Sequence, residues 1–562
     1  MQTLTRDTDC GPVRGLVLPS GVASFRSIPY AKPPVDELRW QPPVPLKKGD
    51  GCWRGTLNAT AYKPACLQRA NYGKASASSE DCLNLHVSFP LKASSKPRPV
   101  FVWLHGGGLL EGSAFSIQSG FDAVGTHLPP YLDAVVIGVE YRLGVAGWLA
   151  LDALAARDHR GKGFVGNYGL LDTLEALRWV QRNAAHFGGD ASRVTVCGQS
   201  SGGSLVFALL ASPASHSLLH RAISLSGSPR LNSTIQEASS YWHMQVVQRT
   251  RCRGVTGGAL STCLLSLNGT ELIDAQPPNW HPDCFGLKVF AKDYQYAPIL
   301  LIDGKGGVLP SPYVDEKGHS PPHIDTSIPL IVGTTAEEGD FAPTDDVRGL
   351  NQAQFASFIR GRLEPTLGSR FVTRLLQVYL HGPPQPPFDA QRVYSEMVAD
   401  ATVVCPNFYL SQSWQAARQH NNTTAGVYAY RASQPLSHPF CVLRDAHFHP
   451  PYCPSYAFHA SDMFAWLRPQ RSAAFNFSFT AKDDQYGQLI NKHFASMVHD
   501  GTPLASWSPV STATEAVHDG LPSDWIASEL RLPDAPDVKG DKAEACEMWL
   551  GGGWYERIGL VN

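Results

Sequence analysis

No stretch of this chain reaches 18 consecutive apolar residues, so no segment reads as a membrane span. An excess of charge of one sign is missing too: 47 Lys and Arg against 49 Asp and Glu leave a formal net charge of −2. There is no long run of lysine or arginine, so neither nucleic acid nor an anionic membrane is expected as a partner. The opening MQTLTRDTDC is polar and lacks the apolar core of a secretory leader. Internal repeats, acidic or basic tails and a linker able to part the chain are all absent. One domain over residues 1–562 is therefore expected, since large α/β folds use such a length as a single unit.

What is present starts with a 43% hydrophobic composition, enough for a large core. The 12 cysteines are an even number, many at spacings suited to bridges. N-x-S/T sequons stand at Asn58, Asn232, Asn268, Asn421, Asn422 and Asn476. Together they point to an oxidising route: secretion, or the lumen of the secretory pathway, with any leader already removed.

Along the chain, the first sixty residues read as short strands broken by Gly and Pro. RPVFVWLHGGG and DAVVIGVEYRLG each carry an apolar run on both faces, as strands buried in a mostly parallel sheet do. In GLLDTLEALRWVQRNAAHFGGD, Leu170, Leu174, Leu177 and Gln181 share one helical face, with Val180 and Ala184 beside it. Gly188-Gly189 end that helix. IPLIVG and GVYAYRA add two strands further on, between proline-rich loops. The pattern predicts an α/β fold with a mostly parallel sheet and long excursions.

The stretch VTVCGQSSGGSLV, residues 194–206, is a β-branched run followed by Gly198-Gln199-Ser200-Ser201-Gly202 and a helix start. G-x-S-x-G between a strand and a helix places a serine on a sharp turn, where it can act as a nucleophile. Such a serine needs a base, an acid to orient that base, and N–H donors for the oxyanion. His105-Gly106-Gly107-Gly108, directly after the strand VFVWL, lets backbone N–H groups approach a substrate oxygen. The amide of Ser201 is a further donor. For the acid, TTAEEGDF offers both Glu337 and Glu338 at a strand's carboxyl end. For the base, spacing alone does not separate His459, in YAFHASDMFAWL, from His438, His447 or His449.

The motifs FRSIPYAKPP, SEDCLNLHV, HGGG, YRLG, GNYGLLDTLEALRWVQRNAAHFGGD, GQSSGG, SLSGSP and GTTAEEGDF run in order from about Gly11 to Trp549. In this the chain resembles the type-B carboxylesterase and cholinesterase family of the α/β-hydrolase fold. The resemblance implies a central mostly parallel twisted sheet flanked by helices, with an N-terminal antiparallel β extension and long loop insertions. It implies Ser200 as nucleophile, Glu338 as acid and His459 as base, with Gly107, Gly108 and Ser201 as the oxyanion hole. Gln199, Ser226 and Asp462 correspond to a supporting polar network, and no metal or organic cofactor is implied. Arg39 with Glu80, and Arg142 with Asp190, are expected as buried ion pairs. Cys66–Cys82, Cys252–Cys263 and Cys405–Cys546 are implied as disulfides. Cys10 with Cys52 and Cys441 with Cys453 follow from spacing and remainder, Cys197 is expected as a buried free thiol, and Cys284 has no assigned role.

Where the chain departs from the family, it speaks about substrate. The family's Glu beside the nucleophile is Gln199 here, as it is in juvenile hormone esterases. The loop between Cys66 and Cys82 is short and carries Tyr72 but no tryptophan for a choline cation, and its length argues against a lipase lid. Leu109 replaces an aromatic after the glycine run, so a different pocket wall is expected there. The expected activity is hydrolysis of small neutral carboxylic esters through an acyl-enzyme on Ser200. A long-chain lipase and a non-catalytic neuroligin-like adhesion module are the alternatives; the filled triad positions speak against the second. Either a monomer or a homodimer is compatible with the sequence.

Overall fold

The computed structural model describes residues 2–69, 78–114, 123–159, 161, 163–280, 286–291, 297–314, 319–321, 323–341, 343–380, 388–438, 452–468, 479–511, 525–540 and 542–551. Its centre is one 13-stranded sheet. Twelve strands form its path: β1 (Thr3–Arg6), β2 (Val13–Val17), β3 (Val22–Pro29), β4 (Asn84–Pro90), β5 (Arg98–Leu104), β6 (Val135–Val139), β7 (Gly189–Gln199), β8 (Arg221–Leu225), β9 (Leu330–Thr335), β10 (Val427–Ala432), β11 (Ile526–Leu530) and β12 (Asp537–Lys539). Their spatial order is 1-2-3-4-6-5-7-8-9-10-11-12. The N-terminal β1 to β4 pair antiparallel, and β4 meets β6 antiparallel as well. From β6 through β5 to β11 every pairing is parallel. The antiparallel extension and the parallel centre both follow the expected architecture.

Because side chains alternate across a strand, each parallel strand feeds two cores. Val100, Val102 and Leu104 join Val194, Val196, Leu330 and Val332 on one face. Phe101 and Trp103 join Cys197, Ile223, Leu225 and Ile331 on the other. Each such aliphatic side chain contributes about 1.5–3 kcal/mol when fully buried. The first face is covered by α1 (Tyr168–Asn183), whose Leu170, Leu174 and Leu177 are buried as the periodicity predicts. The chain then turns at Gly188, whose φ of 78° is the left-handed conformation a glycine adopts without strain. α2 (Ser201–Leu210) leaves β7 directly, and all ten of its residues are buried.

Among the described residues, disulfides link Cys10–Cys52, Cys66–Cys82, Cys252–Cys263 and Cys405–Cys546. Closing the short loops of 16 and 11 residues stabilises by roughly 3 kcal/mol each, and the 141-residue loop by roughly 5. Cys197 is free and buried, and Cys453 is also disulfide-bonded. Cys284 and Cys441 lie outside the described residues, as do Tyr72, His447, His449 and Asn476.

Of the two expected ion pairs, one forms. Arg39 meets Glu80 in a fork of 2.7 and 2.6 Å and also donates to the carbonyls of Leu265 and Leu267. Arg142, by contrast, pairs with Asp172 through two 2.7 Å bonds, not with Asp190. Strand direction is the reason. Asp190 sits at the start of β7, opposite Pro99, whereas Arg142 follows the carboxyl end of β6, where Val139 lies beside Leu104. The two are at opposite ends of the parallel sheet. Asp172, in α1, reaches Arg142, and Asp190 pairs with Arg193 at 2.8 Å.

Candidate active site

The end of β7 dictates the site's geometry. Ser200 stands between β7 and α2 with φ 57° and ψ −127°, a sparsely populated conformation that costs about 1–3 kcal/mol. Its N–H donates to the Leu225 carbonyl at 2.8 Å, and its own carbonyl accepts from Ser204 N–H at 3.0 Å. The flanking glycines are required by close approach. A β-carbon on Gly202 would lie 2.2 Å from the Leu104 carbonyl oxygen, and one on Gly106 would lie 2.9 Å from the Ser200 β-carbon. The elbow and the glycine loop after β5 thus pack backbone against backbone.

That loop is anchored almost completely. Tyr141 donates its hydroxyl to the His105 carbonyl at 2.6 Å, and the Leu110 and Glu111 N–H groups both donate to the Gly107 carbonyl at 3.1 Å. Leu109 N–H donates to Ser201 Oγ at 3.0 Å. Gln68 brackets Gly112 by two side-chain bonds, and Glu140 Oε1 receives both Ser113 Oγ–H and Ala114 N–H. Among the described residues, the N–H groups of Gly107, Gly108 and Ser201 donate to no protein acceptor. The Ser201 hydroxyl has a role that motif reading missed, since it holds the loop. Leu109 does not form a wall: its side chain is fully buried in the core.

Opposite the elbow, Glu338 follows β9 and is fully buried, and His459 is 6% exposed. His459 Nδ1 lies 2.5 Å from Glu338 Oε2. The other carboxylate oxygen accepts from Ser226 Oγ–H and Thr335 N–H, both at 2.7 Å. His459 Nε2 lies 3.1 Å from the Gln199 amide nitrogen, so the residue next to Ser200 touches the imidazole. With the amide donating, Nε2 is an acceptor and Nδ1 carries the proton held by Glu338. Glu337 turns elsewhere, to Arg392 and Ala457 N–H, and His438 is exposed. Of the network residues, Ser226 touches Glu338 directly. Asp462 instead accepts from the Tyr430 hydroxyl at 2.6 Å and from Met463 N–H, and burial pushes its carboxyl up to about 6.

One acid was not singled out by its motif. Glu111 lies in the glycine loop's turn, and its Cγ would sit 3.2 Å from a β-carbon on Gly107. Its Oε2 is buried without a hydrogen-bond partner, and burial pushes the carboxyl up to about 7. The signal available in sequence was a lone acidic residue six positions past HGGG's histidine, in an otherwise apolar and glycine-rich segment.

The profile of the carboxylesterase family matches residues 2–523. An acylcarnitine hydrolase of Mus musculus is 29% identical over 535 residues, covering 90% of this chain and 84% of that protein. Carboxylesterase 1D of Rattus norvegicus is 31% identical over 422 residues, covering 70% of this chain and 69% of its own. A solved PNB esterase structure superposes with a TM-score of 0.71 at 25% identity, covering 98% of this chain and 99% of that one.

Proposed function

We infer the mechanism from one premise: this chain belongs to the carboxylesterase family and is a carboxylic ester hydrolase. Ser200 Oγ attacks the ester carbonyl while His459 Nε2 takes its proton, with Glu338 holding the imidazole in the required tautomer. The tetrahedral oxyanion rests on the N–H groups of Gly107, Gly108 and Ser201. The C–O bond then breaks, the alcohol leaves with the proton from His459, and the acyl group stays on Ser200. Water repeats the sequence and releases the acid. The observation that carries this reading is the 2.5 Å contact of His459 Nδ1 with Glu338, with Nε2 turned to Gln199, the residue next to Ser200.

The favoured substrates are neutral esters. Position 199, in contact with the imidazole, is an uncharged amide, and the Glu111 carboxyl at about 7 is only partly ionised near neutral pH. A secretory setting is supported by the disulfides and by the exposure of Asn58, Asn232, Asn268, Asn421 and Asn422. No helix among the described residues is long and apolar enough to cross a membrane.

A fluorophosphonate probe tests the nucleophile. The protein should label stoichiometrically, and Ser200→Ala should abolish labelling and lower kcat by roughly 10⁴–10⁶ with folding intact. An active Ser200→Ala beside a dead Ser201→Ala would refute the elbow assignment. A series of p-nitrophenyl esters of rising acyl length, read as kcat/KM, then fixes chain-length preference and separates esterase from lipase.

A further inference from the structure

The four residues Glu337 to Asp340 carry three carboxylates, and all three turn toward the segment that holds His459. Glu338 meets the imidazole. Glu337 Oε2 accepts from Ala457 N–H at 3.1 Å, and the Glu337 N–H donates to the Ala457 carbonyl at 3.0 Å, two residues short of His459. Asp340 Oδ2 accepts from Ser455 N–H at 2.8 Å and Tyr456 N–H at 3.0 Å, and its Oδ1 accepts from the Tyr452 hydroxyl. Phe341 completes the contact, edge-on to the His459 ring at 6.0 Å and stacked on Phe458 at 6.1 Å.

The segment needs such support. Between Tyr452 and Ala460 it contains no helix or strand, so its N–H groups have no ladder to join and must find acceptors elsewhere. Asp340 and Glu337 supply them at a cost, for Asp340 is fully buried and Glu337 is 4% exposed. Burial pushes the Asp340 carboxyl up to about 6 and raises that of Glu337. Buried acids of this kind persist where their hydrogen bonds offset the desolvation.

We propose that Asp340 is a positioning residue for ester hydrolysis: by holding Ser455, Tyr456 and Tyr452 it places His459 at the height where Nε2 serves Ser200. The proposal rests on the triad reading above and deepens it. Removing the carboxylate frees two backbone donors at once and lets the histidine segment drift. A displacement on the order of 1 Å at a catalytic group lowers turnover by about 100-fold. Substrate binding does not depend on this clamp, so the loss should fall on kcat.

The test is steady-state kinetics on a soluble p-nitrophenyl ester, normalised to fluorophosphonate-titrated sites, with thermal unfolding as the folding control. Asp340→Ala should lose about 10- to 100-fold in kcat with KM within about twofold. Asp340→Asn should recover to within about fivefold of the parent, because one amide oxygen still accepts both N–H groups and the amide donates to the Tyr452 oxygen. A folded Asp340→Ala with parental kcat overturns the proposal, as does an Asn variant as impaired as Ala. If Asp340→Ala does not fold, Tyr452→Phe decides: a kcat loss of about threefold or more supports the clamp, and an unchanged kcat overturns it. A failed triad reading shows separately, as an active Ser200→Ala.

Discussion

Replacing Glu111 by Gln should stabilise this protein, by an amount that grows as pH rises from 4.5 to about 7. Burial raises the Glu111 carboxyl from its ordinary 4.5 to about 7, with no charged partner contributing. Each unit corresponds to about 1.4 kcal/mol, so ionising Glu111 in the folded protein costs about 3 kcal/mol more than in the unfolded chain. The sign follows from proton uptake. Between pH 4.5 and about 7 the folded state holds the proton that the unfolded state has released, so stability falls as pH rises through that window. Above it the penalty is complete; below it there is none. Glutamine keeps the size and hydrogen-bonding capacity but cannot ionise. At about 2.1 cal/mol/K per residue, 562 residues give an unfolding entropy of about 1.2 kcal/mol/K, so 3 kcal/mol corresponds to about 2–3 °C in Tm. Thermal scans at pH 4 and pH 8.5, at one scan rate, should show the variant level with the parent at the first and about 2–3 °C higher at the second. The kinetics should agree, because an ionised carboxylate beside Gly107 opposes a developing oxyanion. The parent's kcat should decline above pH 7, and the variant's should decline less. A Tm difference independent of pH, or a variant less stable at pH 8.5, would refute the assignment of Glu111 as a buried acid with an unpartnered Oε2.

Two further outcomes follow from charge. Gln199→Glu places a carboxylate against the imidazole, so the acid limb of kcat/KM should move to higher pH by about one unit, and acetylcholine should gain relative to its neutral isostere. An unmoved limb would show that position 199 does not set the site's electrostatics. Arg142→Met leaves the fully buried Asp172 uncompensated and should cost about 3–5 kcal/mol, whereas Arg142→Met with Asp172→Leu should recover most of it. Comparable unfolding midpoints for the single and double variants would contradict the pairing.

What was legible in the sequence was whatever repeats locally. The doubly apolar runs of β5 and β6 and the Leu170–Leu174–Leu177 stripe of α1 announce themselves through periodicity, and the elbow through glycines that exist because backbones touch there. The proposed acid and base were not legible in this way. Glu338 and His459 are 121 residues apart and meet only because strand order brings their loops to one edge, so family resemblance had to choose Glu338 over its neighbour. The same limit explains the misplaced Arg142 partner. Asp190 is nearer β7's motif, but strand direction puts it at the wrong end of the sheet, and nothing local in the sequence encodes that. The side-chain contacts of Ser201, Glu337 and Asp340 were hidden for a third reason. Their chemistry is that of ordinary turn residues, and only the fold shows which N–H groups they receive.

The neutral amide at position 199 makes sense against this inventory of buried acids. Around the imidazole, Glu338 is fully buried, and its partners among the described residues are Ser226, Thr335 and His459. Asp462 and Asp340 are each pushed up to about 6, chiefly by burial and further by the neighbouring carboxylates Glu338 and Glu337 respectively. Arg392 meets Glu337 at the edge and is itself largely exposed. Among the described residues, this many buried carboxylates together disfavour a further one. A glutamate at 199 would be one more, and its charge would draw a proton onto the nitrogen that, in the proposed mechanism, takes one from Ser200. Glutamine keeps the contact to Nε2 without that charge. On this argument the departure from the family pattern at position 199 and the buried acids behind His459 are two parts of one electrostatic arrangement.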